Sequence, residues 1–140
     1  MVKCSIWIVL LALLLGGAPP AVHYPERTVL LLVASWCAPC RGELERLDEI
    51  ARAAAPYEVR VMLVDDSKAG RRMVAAIPPA RRWVPGPDTY LAARADLLRR
   101  TPGLPYSAVI GSDGDLCVDW RGGLDAARVR ALVTKCRNVP

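Results

Sequence analysis

The chain has 140 residues, of which 53% are hydrophobic and 24% charged, so it is predicted to form one domain with a buried core and not a disordered protein. Its formal net charge is +5, and the basic residues are spread along the chain in short pairs. Nucleic-acid binding would require them to gather on one face with aromatic partners, so we expect no nucleic-acid partner.

The first 21 residues form a segment that is separate from the predicted domain. Lys3 precedes an unbroken apolar run at 6–15, and small residues and prolines follow that run. This pattern is typical of a secretory signal, and the run is shorter than the ~20 apolar residues that span a bilayer. Because prolines disfavour cleavage at the exit, a retained membrane anchor is the alternative. We therefore predict an exported protein, periplasmic or extracytoplasmic, with a signal peptide or membrane tether at 1–21 and a domain at 22–140.

Strands and helices are predicted to alternate over the rest of the chain. In chain order we predict a strand at 28–34, a helix from Cys37 to Pro56, a strand at 57–64, a helix at 68–77, at most a short edge strand within 81–87, a helix from Asp88 to about 100, a hairpin of strands at 106–110 and 116–121, and a helix from Asp125 to about 136. Trp120 alternates with apolar residues of its strand and is predicted to be a core residue. This order implies an α/β fold with a mixed central sheet and helices on both faces.

The residues Trp36-Cys37-Ala38-Pro39-Cys40 lie where the first strand meets the first helix. Cys37 is predicted at the helix N-terminus, where free backbone N–H groups and the helix dipole favour a thiolate and lower the pKa of the thiol. Two intervening residues place Cys40 one helical turn further on, where its sulfur can attack a mixed disulfide formed at Cys37. The pattern therefore indicates a redox-active dithiol.

Two alternatives to redox chemistry stay open for this pair of cysteines. One is a purely structural disulfide, and the other is half of a zinc site. Zinc requires a second pair of similar spacing or paired histidines, whereas Cys117 and Cys136 stand 19 residues apart and His23 is the single histidine. We therefore favour redox catalysis, and we expect no metal and no cofactor.

These residues resemble the thioredoxin superfamily, and the wider pattern is similar to its exported, often membrane-tethered branch of TlpA/ResA-like thiol-disulfide reductases, which are linked to cytochrome c maturation. Glu43 matches the helix acid of that branch, the segment from Pro105 to Asp113-Gly114 matches its "Pro, small apolar strand, Asp-Gly turn" segment, and Gly122 matches a glycine after the next strand. The resemblance implies a thioredoxin-like three-layer sandwich. It also implies cysteine-containing protein substrates and a membrane-bound or soluble dithiol as electron donor.

Two departures from that branch leave the direction of exchange open. Leu31 stands where many relatives carry a buried polar residue, and Glu45 stands where many carry proline. We predict a reductase of protein disulfides. A DsbA-like disulfide oxidant is one alternative, and a redox-inert binding module with the same fold is another.

Several residues around the motif are predicted to support it. Glu43 shares a helix face with Cys40 and is either a base for its thiol or a carboxylate that stabilises the early helix. The resemblance implies that Pro105 is a cis proline facing the cysteines, and the backbone of Leu104 could then pair with an extended peptide. Trp36 is predicted to form a flat, partly exposed wall beside Cys37, with a core role as the alternative.

A second, structural disulfide is predicted between Cys117 and Cys136. If the last helix folds back over the last strand, the two cysteines meet. However, Cys117 alternates with Leu116 and Val118 in a way that points it away from that helix, unless the strand begins with a twist or bulge. Buried free thiols are the alternative.

Overall fold

A computed structural model describes residues 21–139 of the chain. Almost all of the predicted signal or anchor, residues 1–20, lies outside the described residues. The four strands are β1 (Thr28–Val33), β2 (Glu58–Leu63), β3 (Tyr106–Ile110) and β4 (Leu116–Arg121). The helices are α1 (Ala38–Glu45), α2 (Leu47–Ala54), α3 (Lys68–Ala75), α4 (Pro87–Arg99) and α5 (Ala126–Arg137), with one 3-10 turn at Pro79–Arg81. No helix within residues 21–139 is long and apolar enough to cross a membrane.

The strands form one mixed sheet in the order β2-β1-β3-β4. The pair β1–β2 is parallel, and the pairs β1–β3 and β3–β4 are antiparallel. All six residues of β1 are buried, as expected for a continuous apolar run in the middle of a sheet. In this arrangement the ends of β1, β2 and β4 meet the beginning of β3 at one edge of the sheet.

Helices cover both faces of the sheet, so the predicted three-layer α/β fold is confirmed. Helix α2 packs against α5, and the two helices also contact β2, β3 and β4. Their inward residues continue the hydrophobic core, as do two buried residues of α4, Ala93 and Leu97.

The prediction of one helix between Cys37 and Pro56 was wrong, because the structure has two. Arg46 leaves the helical conformation (φ −104°, ψ 14°), and its N–H donates to the Glu43 carbonyl at 3.0 Å. The side-chain pattern does not mark this break, because the buried positions keep helical spacing through it. Those positions are Cys40, Glu43, Leu47, Ile50 and Ala54.

One smaller prediction was also wrong, and another holds only in part. Helix α4 begins at Pro87 with Gly86 as its N-cap, so Asp88 lies in the first turn and not at the cap. Proline suits that first helical position because no N–H is needed there. Trp120 packs against the core, as predicted, but it is half-buried because it lies on β4, an outermost strand of the sheet, where residues 116–120 are all half-buried. Arg128 covers its ring at 4.0 Å from the centroid.

Candidate redox-active site

Cys37 and Cys40 form a disulfide at the N-terminus of α1, with their Cα atoms 5.3 Å apart. Cys37 is the N-cap residue, in an extended conformation, and its Sγ accepts the N–H of Cys40 at 3.2 Å. Its own N–H donates to the carbonyl of Ala34 at 3.1 Å, which closes the loop after β1. The Cys37 sulfur therefore lies where unpaired helix N–H groups and the helix dipole stabilise negative charge.

The two sulfurs differ in their surroundings. Cys37 is 3% exposed and Cys40 is fully buried, with its Sγ 3.8 Å from the carbonyl of Leu32. Trp36, immediately before the pair, is 68% exposed. Of the two cysteines, Cys37 is therefore the more accessible to an incoming sulfur atom.

Glu43 is fully buried one helical turn beyond Cys40, on the same helix. Its Oε1 accepts the N–H of Leu124 at 2.6 Å, whereas Oε2 has no hydrogen-bond partner among residues 21–139. Burial raises the pKa of Glu43 to about 7, against the lowering effects of the Leu124 N–H and of Arg46. The carboxyl group can therefore gain or lose a proton near neutral pH.

Pro105 lies at the same edge of the sheet as the cysteine pair. Its peptide bond with Leu104 is cis, and both residues are half-buried. The next residue, Tyr106, pairs with Leu32 near the end of β1, so the register brings Pro105 to the end of the strand that leads to Cys37. The carbonyl of Pro105 accepts the N–H of Gly122 at 2.9 Å, which joins β3 to the end of β4.

Asp65, a residue that the sequence analysis did not single out, also lies at this edge. Its carboxylate accepts the N–H of Ser35 at 3.0 Å and the hydroxyls of Ser35 and Ser67 at 2.7 and 2.5 Å. Partial burial acts to raise the pKa of Asp65, but the hydrogen bonds from Ser67 and Ser35 outweigh it and hold the pKa below its ordinary value. The signal in the sequence was an acidic residue directly after the strand predicted at 57–64.

Cys117 and Cys136 form a second disulfide at the opposite edge of the sheet, with their Cα atoms 5.6 Å apart. The register shifts between Val109 and Ile110, which pair with Val118 and Leu116, so Cys117 is an extra residue in a bulge. The bulge removes the orientation that the simple alternation implied and turns Cys117 toward α5. Cys136 is 5% exposed and lies in the last turn of that helix.

No protein-family model matches the sequence, and no curated protein matches it either. Several solved structures match this chain, and three of them are each 20% identical to it in sequence. The exposed lipoprotein thioredoxin of Streptococcus pneumoniae has a TM-score of 0.57 and covers 81% of this chain and 87% of its own. DsbF of MTB has a TM-score of 0.54, with 82% of each chain covered. The N-terminal domain of PilB of N. meningitidis has a TM-score of 0.59, with 87% of this chain and 90% of that domain covered.

The architecture, the position of the two cysteines and these three structures together define a thioredoxin-like fold.

Proposed function

We propose that the protein is a thiol-disulfide oxidoreductase that reduces disulfides in protein substrates through Cys37 and Cys40. The observation that carries this proposal is the place of Cys37 at the N-cap of α1, where its sulfur accepts the Cys40 N–H. The same N–H can stabilise a thiolate at Cys37 in the reduced protein. The structural neighbours support the proposal, since one is described as a thioredoxin and another in mixed oxidised and reduced forms.

The reaction proceeds in two exchanges of sulfur. The Cys37 thiolate attacks one sulfur of a substrate disulfide, forms a mixed disulfide and releases the other substrate sulfur as a thiolate. Cys40 then loses its proton and attacks Cys37, which closes the Cys37–Cys40 disulfide and releases the second substrate thiolate. The substrate gains two electrons and the protein loses two, which a dithiol donor restores.

Glu43 is proposed to take the proton of Cys40 in the second exchange. Both side chains are buried in the same helix, so bulk water is a poor acceptor for that proton. A carboxyl group whose pKa is about 7 can accept it near neutral pH and release it again in the next cycle. The alternative is a carboxyl group that only stabilises the early turns of the helix.

The substrate is proposed to bind across the surface formed by Trp36, Leu104 and Pro105. The exposed ring of Trp36 provides an apolar contact beside Cys37. The backbone before Pro105 precedes β3, so an extended peptide can add to it as a further strand. Recognition through backbone hydrogen bonds suits an enzyme that acts on cysteines in different proteins.

The protein is proposed to act outside the cytoplasm, as an exported or membrane-tethered reductase of the type linked to cytochrome c maturation. The apolar segment at 6–15 after Lys3 supports export, and a second cysteine pair in the domain suits an oxidising compartment. Its electron donor would be a membrane-bound or soluble dithiol.

The deciding experiment is a redox titration of the Cys37–Cys40 pair in glutathione buffers, combined with an insulin-reduction assay. A reductase is expected to have a reduction potential similar to that of thioredoxin, about −270 mV. A reduction potential similar to that of DsbA, about −120 mV, would identify an oxidant instead. A pair that neither titrates in this range nor reduces insulin would overturn the proposal in favour of a redox-inert binding module. Cys37→Ser serves as the inactive control.

A further inference from the structure

We propose that Asp65 is a positioning residue for Cys37, which holds the loop before the cysteine in the geometry that α1 requires. Its importance for catalysis rests on the function proposed above. Asp65 follows β2 and Ser35 follows β1, and the two residues are 30 positions apart in the sequence. Because β1 and β2 are parallel neighbours, both loops leave the sheet at the same edge.

The carboxylate of Asp65 holds the main chain and not only a side chain. Oδ1 accepts the backbone N–H of Ser35, and Oδ2 accepts the hydroxyl of the same residue. The carbonyl of Ser35 accepts Arg41 Nη2 at 2.8 Å, so both peptide groups of Ser35 are held. Only Trp36 separates this fixed residue from Cys37.

Asp65 is itself held firmly by the first turn of α3. Ser67 donates to Asp65 Oδ2 and is also the N-cap of α3, where its Oγ accepts the N–H of Gly70 at 2.9 Å. A Cβ atom on Gly70 would lie 2.9 Å from Asp65 Oδ1 and 3.0 Å from its carbonyl oxygen. The helix can therefore approach Asp65 this closely only because residue 70 is glycine, and the carboxylate is confined between α3 and the loop of Ser35.

Charge and position have opposite effects on Cys37. A carboxylate near a thiolate disfavours it, so the charge of Asp65 alone acts to raise the pKa of the Cys37 thiol. A fixed loop keeps the Cys37 sulfur at the helix N-terminus and acts to lower that pKa. A neutral replacement of Asp65 that keeps hydrogen bonding and a neutral one that loses it therefore separate the two effects.

The experiment compares Asp65→Asn with Asp65→Ala in the reduced protein. Asparagine keeps an acceptor for the Ser35 N–H and a polar group for the two hydroxyls, whereas alanine keeps neither. The pH dependence of Cys37 alkylation is followed by mass spectrometry. We expect the midpoint in Asp65→Ala to lie about half a pH unit or more above that in Asp65→Asn, which is about threefold less thiolate below the midpoint. The Ser35 amide should also exchange its hydrogen faster in the alanine variant.

Equal midpoints in the two variants would overturn the positioning role. Asp66→Asn is the matched control, since it removes an exposed neighbouring charge that pairs with Arg71, and it should titrate like the wild type. If Asp65→Ala does not fold, Asp65→Leu replaces it, because leucine is neutral and close to asparagine in size but offers no acceptor for the Ser35 N–H. A midpoint in that variant equal to the midpoint in Asp65→Asn would overturn the proposal. The titration needs no substrate, so a protein that lacks reductase activity but keeps the difference would refute only the proposed function.

Discussion

The two cysteine pairs of this protein lie at opposite ends of helices and at opposite edges of one sheet. Cys37 caps the N-terminus of α1, where the helix dipole favours a thiolate, whereas Cys136 lies in the last turn of α5, where the dipole disfavours one. The first pair is separated by 3 positions and the second by 19. The closure of a longer loop removes more conformational freedom from the unfolded chain. The position of Cys37 in its helix thus favours thiol-disulfide exchange at the first pair. The length of the loop that the second pair closes favours stabilisation of the folded protein.

The largest expected effect is the loss of exchange activity when the first pair is changed. Cys37→Ser should abolish insulin reduction, because no nucleophile remains at the helix N-terminus. Cys40→Ser should leave the attack intact and trap mixed disulfides, because nothing resolves them. Non-reducing gels and mass spectrometry of the trapped species provide the measurement.

The reverse pattern, in which Cys37→Ser traps substrates and Cys40→Ser does not, would show that Cys40 and not Cys37 is the nucleophile. Alkylation of the reduced protein near pH 6 is an independent check. Cys37 should be labelled well before Cys40, and equal labelling of both would contradict the mechanism.

The second pair is tested by the double variant Cys117→Ser and Cys136→Ser. Its free energy of unfolding should fall by about 3 kcal/mol, because the bridge closes a loop of 19 positions. Urea denaturation followed by tryptophan fluorescence measures the change. The exchange activity of the folded variant should stay at the wild-type level, and its loss would show that the two pairs act together.

The carboxyl group beneath the first pair predicts a pH dependence of stability. Glu43 has a pKa of about 7 in the folded protein and about 4.5 when unfolded, so folding disfavours its ionised form. The wild-type protein should therefore lose stability as the pH rises from about 4.5 to above 7, by up to about 3 kcal/mol. Glu43→Gln should not show this loss.

Urea denaturation at acid and alkaline pH tests this prediction. As the pH rises through 7, the free energy of unfolding of the wild type should fall relative to that of Glu43→Gln. Glu45→Gln is the matched control, because Glu45 is exposed on the same helix. A parallel pH dependence in the wild type and in Glu43→Gln would show that Glu43 ionises normally.

Local patterns predicted the parts of the fold that depend on neighbours in the sequence. The hairpin strands at 106–110 and 116–121 and the helix that Asp125 caps lie where their turn and cap residues indicated. The position of Cys37 at a helix start was predicted for the same reason, since it requires only a strand followed by a helix.

The features that the sequence did not reveal depend on contacts between distant segments. The hydrogen bonds of Asp65 to Ser35 exist because β1 and β2 are in register, which no local pattern specifies. The bulge at Cys117 likewise follows from the pairing of β4 with β3. Trp120 is half-buried because β4 is an outermost strand of the sheet. The break between α1 and α2 occurs at Arg46, which is neither a glycine nor a proline and so gives no signal in the sequence.

The smallest expected effect concerns a contact inside the loop that the second disulfide closes. The guanidinium of Arg128 lies 4.0 Å from the centre of the Trp120 ring, and both residues are between Cys117 and Cys136. Arg128→Ala should lower the free energy of unfolding by about 0.5–1 kcal/mol, the usual value of an exposed cation–π contact. Arg130→Ala, an exposed change on the same helix, is the control and should have no comparable effect.

The same substitution tests how the second disulfide stabilises the protein. A bridge that acts on the unfolded chain leaves the contact between Arg128 and Trp120 in the folded state unchanged. Arg128→Ala should then lower the free energy of unfolding by the same amount, within about 0.5 kcal/mol, in the protein with the bridge and in the double serine variant. A clearly smaller cost without the bridge would mean that the disulfide itself holds β4 against α5. In that case its contribution would lie in the native structure and not in the entropy of the unfolded chain.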